Sequence, residues 1–538
     1  MKVTGPRMRW LLLFLLTSAT VLAPMAAPTA AAATVRRVPQ DFPTIQAAID
    51  AAVAGDTVQV SPGTYVERID FLGKEITVQS TGGPATTIID GDQAGGVVRM
   101  VAGDGQTPVL RGFTIRNGNE PFDGGGIFTS GGPALIEGNR VTGNIGCDGA
   151  GIAAAFSSAT IRGNLVADNR PNCSGGTGGG GINLRGDGTV QVLGNEVRGN
   201  VTAADGGGIS LFAAGTPTIS GNTISGNAAE PGRDGGGISL VNSSNALISN
   251  NFIVGNSGAE GGGIFWLVPF GDPGPNVVNN TIAGNSASTN GSAVFADGFD
   301  EATRLTNNIL VGAGPEAVLA CGDFNDLNPP VIAFNDVFNA GAGPEYGGTC
   351  TDQTGQNGNI SADPRFVDAA AGNFHVQAGS PVVDAGRNQD APATDVDGDP
   401  RPLDGNGDGV AVVDIGADEV AGGDTTPPTI TCTAIPATLW PPDHTLRTVR
   451  VAISAADDTG PVTVTLVSVT SSQADSGLGR GDLPGDIRGW SAGGDDRRGQ
   501  LRAERFGGAR VYTLTYRAED AAGNTARCRT TVTVPRRR

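Results

Sequence analysis

The chain has 538 residues, of which 85 are glycine and only 5% are aromatic, and its formal net charge is −19. An acidic chain of this kind disfavours nucleic acid and other polyanions as partners, and it favours divalent cations or neutral glycans. Aliphatic residues nevertheless recur at regular intervals, which excludes a disordered, low-complexity protein.

The N-terminus has the composition of an export signal over residues 1–33. Three basic residues precede an apolar run at 10–23, and alanines at 31–33 offer a small-residue cleavage site. We therefore expect a mature chain that begins near Thr34 and is secreted or extracellular. No later run reaches the roughly 18 apolar residues of a membrane span, so none is predicted in the mature chain.

The segment DFPTIQAAIDAAVAGD at 41–56 predicts a short amphipathic helix. Ile45, Ala48, Ile49 and Ala52 share one face at helical spacing. Short strand-like segments follow, so this helix would cover the first strands of a sheet and protect their edges.

Two blocks recur between Gly124 and Val294. One is an acidic-glycine-isoleucine block such as DGGGI at 205–209, and the other has the form xxNxφxGN, where φ is aliphatic. The first asparagine of the second block falls at 139, 164, 195, 222, 251, 280 and 308. A period of roughly 28 residues is typical of a stacked solenoid rather than of a globular core.

Aliphatic residues keep a constant position in every repeat and form three columns. The columns are Ile136, Ile161, Val192, Ile219, Ile248, Val277 and Leu305; Val141, Val166, Val197, Ile224, Ile253, Ile282 and Leu310; and Ile127, Ile152, Ile182, Ile209, Ile238, Ile264 and Val294. Three short strands per repeat, stacked in parallel at roughly 4.8 Å, would bury all three columns in one core. The asparagines fall where the strands must turn, and we expect them to be structural.

The segments TIQAAIDAA, GDTVQVSPGTYVE and TTIIDG resemble the N-terminal region of right-handed parallel β-helix proteins of the pectin-lyase-like superfamily. The GGGI and SGNTISGN blocks resemble the repeats of bacterial β-helix adhesins and autotransporter passengers. These resemblances imply an all-β fold: a right-handed parallel β-helix of about ten coils with an N-terminal capping helix, over residues 34–320.

The remainder of the chain departs from this period. ADPRFVD, NFHVQAGSPVVDAG and DVDGDPRP resemble the choice-of-anchor Q domain, which implies a closure of the β-helix over residues 321–421. Residues 422–429 are rich in Gly, Pro and Thr and predict a linker. PPTITC and AEDAAGNTARC resemble bacterial Ig-like and hyalin-repeat modules, which implies an Ig-like β-sandwich over residues 430–538.

Six cysteines in an exported chain predict disulfides. Their positions form three local pairs: Cys147 with Cys173, Cys321 with Cys350, and Cys432 with Cys528. Six cysteines allow many other connectivities, so this pairing is a preference.

The acid before each glycine block forms a further column. Its members are Asp123, Asp148, Asp205, Asp234 and Glu260, about 5 Å apart in adjacent coils. Such a spacing would suit the two carboxyls of a retaining glycosidase, and a stack of carboxylates could also hold Ca²⁺. Because the same side chain recurs in five coils, we favour a repeated capping of glycine N–H groups.

Three arginines are candidates for carbohydrate binding. Arg140, Arg162 and Arg198 recur on neighbouring coils together with glutamates, and they predict a patch for an anionic glycan. The alternative is a solvated charged face.

An aromatic segment, IFWLVPFGDPGP, is the second carbohydrate-binding candidate. Phe265, Trp266 and Phe270 lie in an apparent insertion, where exposed rings could stack on sugars. The alternative is a loop folded back onto the flank of the solenoid.

The segment DGNGDG is the best metal candidate. Asp404, Asn406 and Asp408 match the first, third and fifth positions of an EF-hand-like Ca²⁺ loop, and Asp414 stands one residue short of the twelfth. Three aspartates within 395–399 could complete the shell. The alternative is a solvated acidic turn, and no organic cofactor is indicated.

These features predict an exported surface or released protein that acts in adhesion or glycan binding, with a polysaccharide or cell-surface glycan as its partner. A polysaccharide lyase or hydrolase of the pectin-lyase-like fold and a non-enzymatic envelope stalk are the alternatives. The catalytic motifs of pectate lyases, polygalacturonases and pectinesterases are not found in the sequence, so no catalytic residue is assigned.

Overall fold

Parallel strands wind into a right-handed solenoid of about ten coils. The repeat period predicts the solenoid, and the resemblance to β-helix proteins implies its hand. The computed structural model describes residues 33–536 except 104, 174, 175, 177, 243, 270, 271, 273, 299–302, 325–328, 423–426, 458–460, 477–481 and 521–523. The predicted export signal, apart from Ala33, and Phe270 therefore lie outside the described residues.

Three parallel sheets form the faces of the solenoid. Face A contains Val35–Val38, Thr57–Val60, Thr77–Ser80, Val109–Arg111, Leu135–Glu137, Thr160–Arg162, Gln191–Leu193, Thr218–Ser220, Leu247–Ser249, Asn276–Val278, Arg304–Thr306 and Val331–Ala333. Face B contains Gly63–Val66, Thr87–Asp90, Thr114–Arg116, Arg140–Thr142, Leu165–Ala167, Glu196–Arg198, Thr223–Ser225, Phe252–Val254, Thr281–Ala283, Ile309–Gly312 and Asp336–Asn339. Face C contains Ile69–Asp70, Val98–Ala102, Ile127–Gly131, Ile152–Ser157, Ile182–Arg185, Ile209–Phe212, Ile238–Val241, Ile264–Leu267, Val294–Asp297, Leu319–Cys321 and Tyr346–Gly348.

Two small parallel sheets lie in the turns that enter face C. They are Asn119–Asp123 with Ile145–Asp148, and Val201–Thr202, Ala228–Ala229, Ser257–Glu260 and Ser286–Asn290.

The predicted aliphatic columns form the core. Ile209, Ile238 and Ile264 pair in register on consecutive strands of face C. These three and all other members of the three columns have no exposed surface. Because each coil cannot bury its own apolar side alone, stacking of coils is what stabilises the fold.

The asparagine columns form hydrogen-bonded ladders at the turns. Asn251 Oδ1 accepts from the backbone N–H and from Nδ2 of Asn222, both at 2.9 Å, and Asn251 Nδ2 donates to Asn280 Oδ1 at 2.9 Å. The first ladder continues past the predicted repeats to Asn335 and Asn359. The side chains satisfy buried backbone groups that would otherwise lack partners.

An α-helix, Ile45–Ala51, caps the first coil and is the only α-helix of the described residues. Ile45, Ala48 and Ile49 are buried, as the amphipathic pattern predicts, and the Thr44 side chain accepts from the Ala47 N–H. Lys74 Nζ donates to two carbonyls at the C-terminal end of this helix, at 2.8 Å each. The helix is too short to span a membrane, so the described chain offers no helical span.

Residues 361–422, which we call the closing segment, fold back along the solenoid. The segment contains the antiparallel strands Phe366–Asp368 and Asn373–Val376 and a 3₁₀ turn, Ala369–Ala371. Its apolar side chains pack against outward-facing residues of face B, among them Phe252, Val254 and Ile309.

Residues 429–534 form two antiparallel sheets around a core of their own. One sheet contains Thr429–Ile435, Leu446–Ala456, Arg498–Arg502 and Ile487–Arg488, and the other contains Thr463–Ser471, Arg510–Glu519 and Thr525–Val534. Their assignment to the Ig-like fold stays a prediction.

All six cysteines are paired. The disulfides are Cys147–Cys173, Cys321–Cys350 and Cys432–Cys528, which is the preferred pairing of the sequence.

Candidate functional site

A groove runs along the outside of face A and crosses five strands. Its floor is a column of side chains that point away from the core and pair in register from one coil to the next. The column consists of Thr218, Leu247, Asn276, Arg304 and Val331. Strands about 4.8 Å apart give this floor a length of about 19 Å, and the groove encloses about 590 Å³.

The closing segment supplies one wall of the groove. Arg387, Gln389 and Asp390 line it, and the backbone of Arg387 is fixed to the solenoid by Asn307. Asn307 Oδ1 accepts from the Arg387 N–H and Asn307 Nδ2 donates to the Arg387 carbonyl, both at 2.9 Å. The opposite wall comes from the turns before the strands, through Asn245 and its neighbours.

The lining combines positive charge, amides and small apolar surfaces. Arg304 and Arg387 form no ion pair with a carboxylate of the described residues. The Arg387 guanidinium donates to Gln389 Oε1 in the same wall. Asn245, Asn276 and Gln389 add amide donors and acceptors. Leu247 and Val331 are each about two-fifths exposed, so the floor also offers apolar surface to a ligand.

The three arginines predicted to form a patch lie on two faces. Arg140 and Arg198 are on face B, whereas Arg162 is on face A. Arg162 pairs with Glu137 at 2.7 Å, and Arg198 pairs with Glu196 at 2.7 Å. Because two of the three arginines are already neutralised by glutamates, the arrangement favours the solvated charged face.

The expectation that Phe265 and Trp266 project from an insertion is wrong. Both belong to the regular strand Ile264–Leu267 of face C. Trp266 points into the core without exposed surface, in register with Leu240 and Ala296, whose small side chain leaves room for the indole. Phe265 is 5% exposed and stacks on Phe295, so neither ring can stack on a sugar.

The acidic column lies along the turns that enter face C, and its carboxylates accept hydrogen bonds from backbone N–H groups. Asp205 Oδ1 accepts from the Asp234 N–H, and Asp234 Oδ1 accepts from the Glu260 N–H, both at 3.0 Å. In earlier coils Arg185 pairs with Asp123 and Asp148. Burial raises the pKa of Asp234 to about 6, and the charge of Asp205 acts in the same direction.

The DGNGDG segment forms an exposed turn held by its own side chains. Asp404 accepts from the N–H groups of Gly407, Asp408 and Gly409. Asp414 is instead fully buried, and it accepts from the N–H groups of Asp384 and Val420. Burial raises the pKa of Asp414 to about 7. Calcium binding at this turn stays a prediction.

The sequence analysis missed the groove on face A. Its signal is a change in the residue that precedes the first-ladder asparagines between positions 139 and 308. This residue is glycine in the earlier coils, at 138, 163, 194 and 221, and asparagine in the later coils, at 250, 279 and 307. The later asparagines hold the closing segment, as Asn307 does at the wall of the groove.

Comparisons with known proteins agree with this architecture. The family model described as a right handed beta helix region matches residues 86–224 and 172–329, the central coils of the solenoid. A search of curated proteins returns no match.

A solved structure of the PL6 family alginate lyase AlyGC shares 14% sequence identity with this chain, with a TM-score of 0.32. The alignment covers 65% of this chain and 55% of that chain, so it spans little more than half of the lyase. The family model alone shows that the coils carrying most of the groove are similar to a right handed beta helix region.

Proposed function

We propose that the protein is an exported, non-catalytic glycan-binding protein that holds a linear polysaccharide in the groove of face A. One observation carries this proposal. Arg304 and Arg387 come from different segments of the chain, line the same elongated groove and have no carboxylate partner among the described residues.

The composition of the groove suits a sugar chain with occasional carboxylates. Guanidinium groups donate in a planar fork to carboxylates, and the amides of Asn245, Asn276 and Gln389 match sugar hydroxyls. The chain as a whole is strongly acidic, which opposes a densely charged polyanion. We therefore favour a neutral backbone with scattered uronate units.

The groove supports binding more than cleavage. Glycoside hydrolysis uses two carboxyl groups, and elimination also needs a group that accepts a proton. Among the described lining residues Asp390 is the only carboxylate, and none is His, Lys or Tyr. The carboxyl pair of a glycoside hydrolase is therefore missing from the described lining, and an elimination would have Asp390 as its one carboxylate base.

Three disulfides support an extracellular location, because such bonds persist in oxidising compartments. On a cell surface, a groove of this kind would serve in adhesion to a glycan.

The test compares Arg304→Ala and Arg387→Ala with the wild type by isothermal titration on neutral and uronate-containing polysaccharides. Loss of one guanidinium contact should weaken binding by roughly tenfold, and added salt should weaken the wild type. Arg140→Ala, an exposed arginine on face B, is the matched control and should bind normally.

Unchanged binding in both groove variants would contradict the proposal. New reducing ends or unsaturated uronates in the wild-type mixture would instead identify an enzyme.

A further inference from the structure

A second cleft, distinct from the groove, lies between face B and the closing segment. It encloses about 430 Å³ and is lined by Thr223, Phe252 and Val254 of the solenoid and by Asn373, His375 and Asp397 of the closing segment. Beside it stands Asp418, which is 9% exposed.

His375, Asp397 and Asp418 bring one nitrogen and two carboxylate oxygens together. One ligand atom from each residue can be chosen so that all three lie within 4.8 Å of one another. His375 Nε2 is 2.7 Å from Asp397 Oδ2. In the described part of the chain, this is the one such group of histidine and carboxylates.

The orientation of His375 is set by its neighbours. Asn373 Oδ1 accepts from the His375 backbone N–H at 3.1 Å, which fixes the direction of the amide. The same oxygen is 2.7 Å from His375 Nδ1, so Nδ1 is the donor of that contact. Nε2 is therefore the nitrogen that faces the carboxylates.

The surroundings hold the ligands in place. The ring of Phe252 meets the His375 ring edge-on at 5.2 Å. Asp395 Oδ1 accepts from the Asp397 N–H, and Asp395 Oδ2 accepts from the Glu419 N–H, which ties the two acidic segments together. Asp418 Oδ2 accepts from the Val376 N–H at 2.8 Å. Metal-binding imidazoles commonly donate their second N–H to an oxygen, as His375 Nδ1 does to Asn373 Oδ1.

We propose that His375, Asp397 and Asp418 bind a divalent transition-metal ion of the Zn²⁺ type in this cleft. One imidazole and two carboxylates suit Zn²⁺ or Mn²⁺, whereas Ca²⁺ prefers oxygen ligands alone. Three protein ligands leave a coordination position for water or for a ligand oxygen. The ion would also link the two acidic segments around Asp397 and Asp418 to the strand Asn373–Val376, which carries His375.

The test uses the full mature chain without an affinity tag, after chelator treatment and dialysis. Titration with Zn²⁺ should show one tight equivalent per chain, and Ca²⁺ should not compete for it. His375→Ala should weaken this binding by at least about tenfold. His444→Ala is the matched control and should retain it, because His444 is the only other histidine and contacts Glu504 instead.

Asp397→Asn serves as a second variant, since its exposed side chain makes misfolding a minor concern. It should also lose the tight equivalent while its melting temperature without metal stays close to that of the wild type. Three results would overturn the proposal: no tight Zn²⁺ binding by the wild type, tight binding that persists in His375→Ala, or an equal loss of binding in His444→Ala. The His375–Asp397 contact would then be an ordinary ion pair. Glycan binding in the face A groove is measured separately, so neither result depends on the other.

Discussion

At the scale of single residues, the carboxylates at the entry to face C have two opposite effects. They accept hydrogen bonds from backbone N–H groups, and their negative charges repel one another from coil to coil. Asp234 accepts the N–H of Glu260, which stabilises the turn. Its burial and the charge of Asp205 both disfavour the ionised form. The folded protein therefore binds a proton at Asp234 more tightly than the unfolded chain does.

Asp234→Asn should remove a pH dependence of stability. The pKa of Asp234 is raised from 3.8 to about 6, so its favourable contribution to stability is complete below about pH 4 and is lost as the pH rises towards 6. The amide retains the acceptor for Glu260 and carries no charge. Thermal melts should show the variant about 1 kcal/mol more stable than the wild type at pH 7.5, after allowance for solvent screening.

The difference between the two proteins should shrink at pH 4. Asp92→Asn, an exposed aspartate on a turn with positive φ, is the control and should show no such trend. An equal gain for Asp234→Asn at both pH values would contradict the assigned cause.

At the scale of elements, the closing segment is held by asparagines of the solenoid. Asn279 Nδ2 donates to the carbonyls of Asp414 and Gly416 at 3.0 and 3.1 Å. Its backbone has a φ of 51°, the left-handed conformation that glycine supplies at Gly194 in an earlier coil. The later coils therefore keep the turn conformation of the earlier ones and differ from them by the asparagine side chain.

Asn279→Gly should loosen the closing segment without disturbing the coil beneath it. Glycine keeps the turn, but three buried hydrogen bonds disappear, because Asn279 Oδ1 also accepts from Asn307 Nδ2 at 3.2 Å. We expect a cost of about 1–3 kcal/mol. Hydrogen exchange of the closing segment should accelerate while the aliphatic columns stay protected. Gly194→Asn has open space around its side chain and is the control; equal acceleration in both variants would contradict the role of Asn279.

At the scale of the whole molecule, the chain has two large separate cores. The larger one contains the three aliphatic columns of the solenoid, and the smaller one lies between the antiparallel sheets of residues 429–534. The Cys432–Cys528 bond lies in the second part and spans 96 residues, whereas Cys147–Cys173 lies in the solenoid. Each part is expected to unfold as its own cooperative unit.

Calorimetry of the full chain should therefore show two transitions. A Cys432→Ala/Cys528→Ala double variant should lower the melting temperature of the C-terminal part only. Its free energy of unfolding should fall by about 4 kcal/mol for a loop of that length. Cys147→Ala/Cys173→Ala should lower only the other transition. A single transition that both double variants shift together would contradict independent units.

The sequence by itself determined the solenoid. A fixed aliphatic position in every repeat specifies a buried strand, and a fixed asparagine specifies a turn, because both depend only on contact with the equivalent residue of the next coil. The amphipathic spacing of Ile45, Ala48 and Ile49 likewise sufficed for the capping helix. Trp266 was misplaced because its strand was interpreted as an insertion, although its alternation with Phe265 follows that of Leu240 and Ser239 in the preceding coil.

Tertiary structure alone decided where the two proposed sites lie. The groove depends on Arg387 and Arg304 lining the same cavity. The second cleft depends on the His375–Asp397 contact next to Phe252. Both sites form where the closing segment, which has no repeat, packs against coils that are far away in the sequence. The repeat pattern contains no information about this packing. Local periodicity specifies how each coil stacks on the next, whereas the docking of a segment without a period depends on the complete surface that the stacked coils present.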